Sequence, residues 1–308
     1  GGWATAEGQY WAQVGTGGGN QPISQYLNAY IVTFFETNNV NLPYTPGGYT
    51  ITNTTGLAIN SLRFDGDQTL TVGTSGTYSL TNLSGGILMG SLAVQAAIVS
   101  GSTTRTLRGP PGGDLIYHVP FFGQTLSNQV VIADNAVCGL TKCGDGTLLL
   151  NQAANNTYAG LTTINGGTLQ TGNFPGRRYV SSTLLINPKG TYWHGAGDNN
   201  LTLTAITVNG GVLNLFGAGD SCPSLILAYN GLFSGYNPET RRYDPTSWVF
   251  AEQQASTGTA HQPEQDQQSH EGEGGGALPG AAPRDPTLTD PRCVFQVLRR
   301  HYARTLQC

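Results

Sequence analysis

Charge is scarce in this sequence: Asp, Glu, Lys and Arg together make up 10% of the 308 residues, and the formal net charge is −4. Such a thin and slightly acidic set offers no basic footprint for a nucleic acid or an anionic lipid surface, so neither is expected as a partner. Long apolar runs are also missing. The most hydrophobic stretch, Ile87 to Val99, is short and broken by Gly and Ser, and no membrane span is expected in this fragment. The chain opens at Gly1 without Met, a basic flank or the apolar core of a leader, so any signal peptide is expected to have been removed or to lie outside the fragment. The five cysteines, Cys138, Cys143, Cys222, Cys293 and Cys308, show no Cys-x-x-Cys pair and no clustered His, which excludes an ordinary zinc site. Cys138 and Cys143 lie five apart around Gly-Leu-Thr-Lys. They fit either a local disulfide in an oxidising compartment or two small buried hydrophobes.

Glycine, by contrast, is plentiful at 44 residues, with a surplus of Thr, Asn and Ser beside it. That mixture suits short strands joined by tight turns rather than long helices. Two kinds of chain meet near Asn230, because the first 230 residues hold 16 charges and 36 glycines while the last 78 hold 16 charges and 8 glycines. The expected division is an N-terminal cap or irregular segment over 1–45, a β-solenoid over 46–230 and an extended segment over 231–252. Residues 253–283, rich in Gln, Glu, Gly, Ser and Pro, cannot offset their ordering entropy and are expected to be a disordered linker. A short helical tail over 284–308 follows, with Asp290 as N-cap, Pro291 in the first turn, and Val294, Val297, Leu298 and Tyr302 at helical spacing.

Within the first 230 residues, runs such as Gln68-Thr-Leu-Thr-Val, Gly146-Thr-Leu-Leu-Leu, Gly167-Thr-Leu-Gln, Thr183-Leu-Leu-Ile-Asn and Gly211-Val-Leu-Asn-Leu alternate apolar with polar residues and are bounded by Gly or Asn. Each unit is too small to bury its own apolar face, and such units are stabilised by stacking into a solenoid with one continuous core. The order Gly139-Leu-Thr-Lys-Cys-Gly-Asp-Gly-Thr-Leu-Leu-Leu-Asn, then Asn155-Asn-Thr-Tyr-Ala-Gly-Leu-Thr-Thr-Ile-Asn-Gly-Gly-Thr-Leu-Gln, closely resembles the autotransporter-associated β-strand repeat, or passenger-associated transport repeat. Weaker echoes at Asn60, Leu83 and Ile206 extend the resemblance over about 45–230. It implies an all-β fold, a right-handed parallel β-helix in a large exported surface protein, with no enzymatic chemistry in the repeat. The positions that carry it are Gly139, Lys142, Gly144, Gly146, Leu148, Leu150, Asn156, Tyr158, Gly160, Thr163, Ile164, Gly167 and Leu169. On physical grounds Gly144, Gly146, Gly166 and Gly167 are expected at corners, and Tyr158 is expected to cap a corner with its ring packed and its hydroxyl wet.

From Gly231, Gly-Leu-Phe-Ser-Gly-Tyr-Asn-Pro-Glu-Thr-Arg-Arg-Tyr-Asp-Pro-Thr-Ser-Trp and later Asp285-Pro-Thr-Leu-Thr-Asp-Pro-Arg-Cys-Val-Phe-Gln-Val-Leu-Arg-Arg-His-Tyr resemble an internal stretch, spanning 231–304 here, of the molybdopterin-binding subunit of formate dehydrogenases. Cys293 and His301 lie in the matching stretch but correspond to none of that family's functional residues, so no cofactor site is carried over.

The remaining candidates for chemistry are sparse. Among the five histidines none is spaced for metal; His118 is expected outward on a strand, and His194 beside Asp198 suggests either a ligand loop or a solvated corner. Asp65, Asp67 and Asp145 fall short of a calcium site. Only folding could bring Asp114, Asp134 or Asp198 together as the acid pair of a polysaccharide-cleaving β-helix. The expectation is therefore a non-catalytic, structural or adhesive passenger fragment at the bacterial cell surface or outside it, with no catalytic, cofactor or metal residues, and with surface glycans or other cell-surface proteins as partners. The alternatives are a polysaccharide-active enzyme, or a truncated or chimeric formate dehydrogenase-like polypeptide that is inactive as it stands.

Overall fold

The computed structural model describes residues 38–234 apart from 52–55, 74–77, 102–104, 182, 196–199, 216–219, 221 and 230, together with Phe34 and short strands nearer the two ends. Every regular element among the described residues is a strand. Most belong to three parallel sheets that wind into a β-solenoid, as the alternating runs imply.

One face is a ten-stranded sheet whose strands step from Asn39–Leu42 through Ser61–Phe64, Gly86–Met89, Asp114–His118, Gly139–Cys143, Thr162–Ile164, Thr183–Ile186 and Ala205–Asn209 to Ser224–Ala228 and Val294–Gln296. The second face is a nine-stranded sheet from Tyr49–Ile51 to Leu232–Ser234, and the third has four strands, Leu57–Ile59, Tyr78–Asn82, Arg105–Arg108 and Val131–Ala133. The register stacks Val40, Leu62, Ile87, Tyr117, Lys142, Ile164, Ile186, Val208 and Leu227 in one column, so successive rungs are 22, 25, 30, 25, 22, 22, 22 and 19 residues long. A second column on the other face runs Ala96, Leu126, Leu148, Leu169, Tyr192 and Leu213. Because strand side chains alternate, these inward positions build one shared core while residues such as Thr141, Thr147, Thr163 and Thr168 fall outward.

The third sheet stops after Val131–Ala133, and a side chain ends it. Asn156 takes the place of a backbone strand: its Oδ1 accepts from the Ile132 amide at 2.8 Å, and its Nδ2 donates to the Tyr179 carbonyl at 2.6 Å. A single buried amide thus joins three rungs where a strand ladder would otherwise continue.

Near the ends, Thr5–Ala6, Tyr10–Val14 and Asn20–Pro22 form an antiparallel sheet, and Tyr236–Asn237 pairs with Arg242–Tyr243. The helix expected from Pro291 is corrected at Val294–Gln296, which pairs in parallel with Ser224–Ile226 as a strand. Val-Phe-Gln suits a strand, and the open edge of Ser224–Ala228 supplies the backbone partners that an isolated helical turn lacks. The rest of that stretch and the 253–283 linker lie outside the described residues.

Candidate functional site

The residues singled out by the repeat occupy two consecutive rungs. Leu140 and Lys142 point inward on the first face, Leu148 and Leu150 on the second, and Thr162, Ile164 and Leu169 repeat those positions one rung on. Thr163 lies on the outer side, between Thr141 and Leu185. Lys142 is one of the polar exceptions to an apolar interior, fully buried between Tyr117 and Ile164. Its Nζ donates to three backbone carbonyls, Cys143 at 2.9 Å, Gly144 at 2.7 Å and Gly166 at 3.1 Å. Three donors meet three acceptors from two rungs, so the lysine fastens the corner where both rungs turn. Burial pulls its pKa down to about 7, against the opposing pull of Cys143 and Asp145.

That corner is made by glycine. Gly144 and Gly167 both adopt positive φ, at 79° and 61°. A Cβ on Gly167 would collide with the carbonyls of Gly146 and Gly144, and one on Gly144 with the Val119 carbonyl. Backbone therefore stacks on backbone there, and only a residue without a side chain fits.

At the next corner Tyr158 departs from expectation. Its hydroxyl is not wet but buried, sharing a 2.7 Å hydrogen bond with Thr162 Oγ1, which in turn lies 3.1 Å from Ser181 Oγ. Burial raises the Tyr158 pKa well above the usual phenol value. Cys138 and Cys143 are free thiols. They flank the strand Gly139–Cys143 differently: Cys138, just before it, is buried with its Sγ against the Ala133 carbonyl, and Cys143, at its end, is on the outer side with Asn165.

An asparagine ladder, of the kind that stacked rungs with outward Asn imply, continues from Cys143. Asn187 Nδ2 donates to Asn165 Oδ1 at 2.8 Å, and Asn209 Nδ2 to Asn187 Oδ1 at 3.0 Å. The signal was present as Asn165-Gly-Gly and Asn209-Gly-Gly flanking Asn187 at one-rung spacing. Changing Asn187 to leucine removes both bonds and is expected to cost about 1 kcal/mol, read as a melting temperature lower by roughly 2–4 °C.

The acids do not converge. Asp114 accepts from Thr141 Oγ1 at 2.5 Å, while Asp134 accepts from the amides of Val137 and Cys138 in its own turn and of Ala159 in the next rung. Partial burial pushes the Asp134 pKa up, but these backbone donors outweigh it and hold it below the usual carboxylate value. Asp67 is occupied by the amides of Val94 and Gln95, and Asp65 by Arg63. Asp198 lies outside the described residues. Among the described residues no group of three His, Cys, Asp or Glu side chains is placed to hold a metal ion.

His118 is half-buried on the outer side of its strand, as the alternation implies. His194 is neither solvated nor in a ligand loop: it is fully buried, with Nε2 2.7 Å from Asp220 Oδ2 and Nδ1 2.5 Å from the Gly195 carbonyl. Asp220 also accepts from the amides of Asn200 and Leu201 at 3.0 Å, so the pair ties successive turns together. With His194 and Asp220 separated by 26 positions, no local motif announces the pair.

Residues 140–171 match the family described as Passenger-associated-transport-repeat. Over 74 residues, 24% of the chain, the sequence is 39% identical to "Formate dehydrogenase subunit alpha" of Megalodesulfovibrio gigas. Over 75 residues it is 37% identical to "Formate dehydrogenase, nitrate-inducible, major subunit" of Escherichia coli (strain K12). Each match spans 5% of the relative's length. No solved structure matches the chain. The chain is thus a parallel β-solenoid that carries a passenger-associated transport repeat at 140–171 and, over about a quarter of its length, a partial similarity to formate dehydrogenase α subunits.

Proposed function

We propose that the chain is a non-catalytic, adhesive part of an exported bacterial surface protein, a rigid passenger-type solenoid that presents its outer faces to surface glycans or other cell-surface proteins. The observation that carries this is the buried column from Val40 to Val208, continued by Leu227, which makes a long stiff body whose outward positions include the hydroxyls of Thr141, Thr163 and Thr207. On the second face Thr125, Thr147, Thr168 and Thr191 stand one above another, a row of hydroxyls suited to hydrogen bonding with a polyol. Among the described residues Asp67, Asp114 and Asp134 lie apart, each with its own hydrogen-bond donors, which supports a non-enzymatic role.

Purified chain is expected to bind saturably to glycan-coated surfaces and to release no reducing ends from polysaccharides. Cleavage of a polysaccharide would replace this function with an enzymatic one, and absence of binding to glycans and to bacterial or host cell surfaces alike would remove the adhesive role. The formate dehydrogenase-like stretch is read as an inactive appendage. Elemental analysis is expected to find no stoichiometric molybdenum, and one molybdenum per chain would overturn that view.

A further inference from the structure

At the corner between the second and third faces lies an open cavity of about 420 Å³, within the size range of small-molecule sites. Its lining includes Arg105 and Gln152, each only 1% exposed, together with Gln129, Asn151, Ser100 and Phe174. Neither end of the Gln152 amide has a hydrogen-bond partner among the described residues. A buried amide in that condition is costly to the fold, and its persistence beside a cavity calls for an explanation other than packing. Arg105 points inward from the third face, in register with Tyr78. Gly73 makes room for it, since a Cβ there would lie 2.6 Å from Arg105 Nε. The lining holds this cation and no acid. Phe174, 42% exposed, supplies an aromatic surface beside the cavity.

We infer that this cavity is a binding site for a carboxylated sugar, a hexuronic acid unit, with Arg105 and Gln152 receiving the carboxylate and neighbouring hydroxyls while Phe174 packs against the sugar ring. The inference rests on the glycan-adhesion reading and names its ligand class. A guanidinium offers a planar fork that matches a carboxylate, and the amide adds both a donor and an acceptor. An inorganic anion is too small to fill the cavity and would leave the aromatic surface unused. The net charge of −4 gives a polyanion no long-range attraction, which suits a single carboxylate taken into a pocket better than a charged polymer lying along a face.

The test is calorimetric titration of the full chain with sodium glucuronate, glucose and sodium sulfate at equal ionic strength. Glucuronate is expected to bind at least about tenfold more tightly than glucose or sulfate. Phe174→Ala, at a partly exposed position, is expected to weaken glucuronate about fivefold by removing the aromatic contact. Gln152→Leu is expected to weaken it by about tenfold while leaving the melting temperature unchanged or higher, because it removes an unpaired buried amide. A purely structural Gln152 would lower the melting temperature instead. Equal binding of sulfate and glucuronate, no binding of glucuronate, or undiminished binding by both variants would each overturn the inference. Adhesion to neutral glycan surfaces together with a silent glucuronate titration would remove this site and leave the adhesive reading intact.

Discussion

Replacing Lys142 with methionine is expected to lower the stability of the solenoid by about 2–4 kcal/mol, because three backbone carbonyls lose their shared donor at once. Methionine fills much of the same space, so the loss reports on hydrogen bonding rather than on a cavity. The effect carries a pH signature. With the folded-state pKa lowered to about 7 from 10.5, the unfolded chain binds more protons than the folded one between those values. The native protein therefore gains stability as pH rises above about 7, with a limiting slope of about 1.4 kcal/mol per pH unit. Above pH 9 the sign reverses. The thiols Cys138 and Cys143 and the buried phenols Tyr117, Tyr158 and Tyr192 have raised pKa values, so the unfolded chain ionises first and stability falls. Denaturant unfolding at pH 6 to 9 should show the rise in the native protein and a flatter profile in Lys142→Met. Equal slopes in the two proteins would show that the lysine is not the group responsible.

Gly167→Val is expected to be still more damaging, at about 4 kcal/mol or more, since it combines an unfavourable positive φ with a collision against two carbonyls of the preceding rung. Gly176→Ala is the matching control. Gly176 also has positive φ, at 65°, but a Cβ there meets nothing within 4 Å, so only the conformational cost of about 1–2 kcal/mol remains. Thermal melts of the two variants separate stacking from backbone preference. An unchanged melt for Gly167→Val would remove the close corner from the account of how rungs pack.

The strands were legible because inward and outward residues alternate along them. Gly146-Thr-Leu-Leu-Leu already places Leu148 and Leu150 on one side, where the structure buries them. By the same rule Lys142 had to face inward, two residues after Leu140, yet charge argued for the outside and hid its role. Tyr158 was misjudged for a similar reason, since an amphipathic side chain at a turn usually reaches water, and here Thr162 receives its hydroxyl instead. What the sequence could not disclose are partnerships between distant loops. His194 with Asp220, and Arg105 with Gln152 at one cavity, depend on how many residues each rung takes to come round, and that number varies from 19 to 30. At Val294–Gln296, helical spacing gave way to the pull of an unpaired sheet edge.

Between Val40 and Leu227 each coil hydrogen-bonds chiefly to the one before it and the one after it. A body ordered in this way can be lengthened or shortened by whole coils without disturbing the remainder, because each coil answers mainly to its two neighbours.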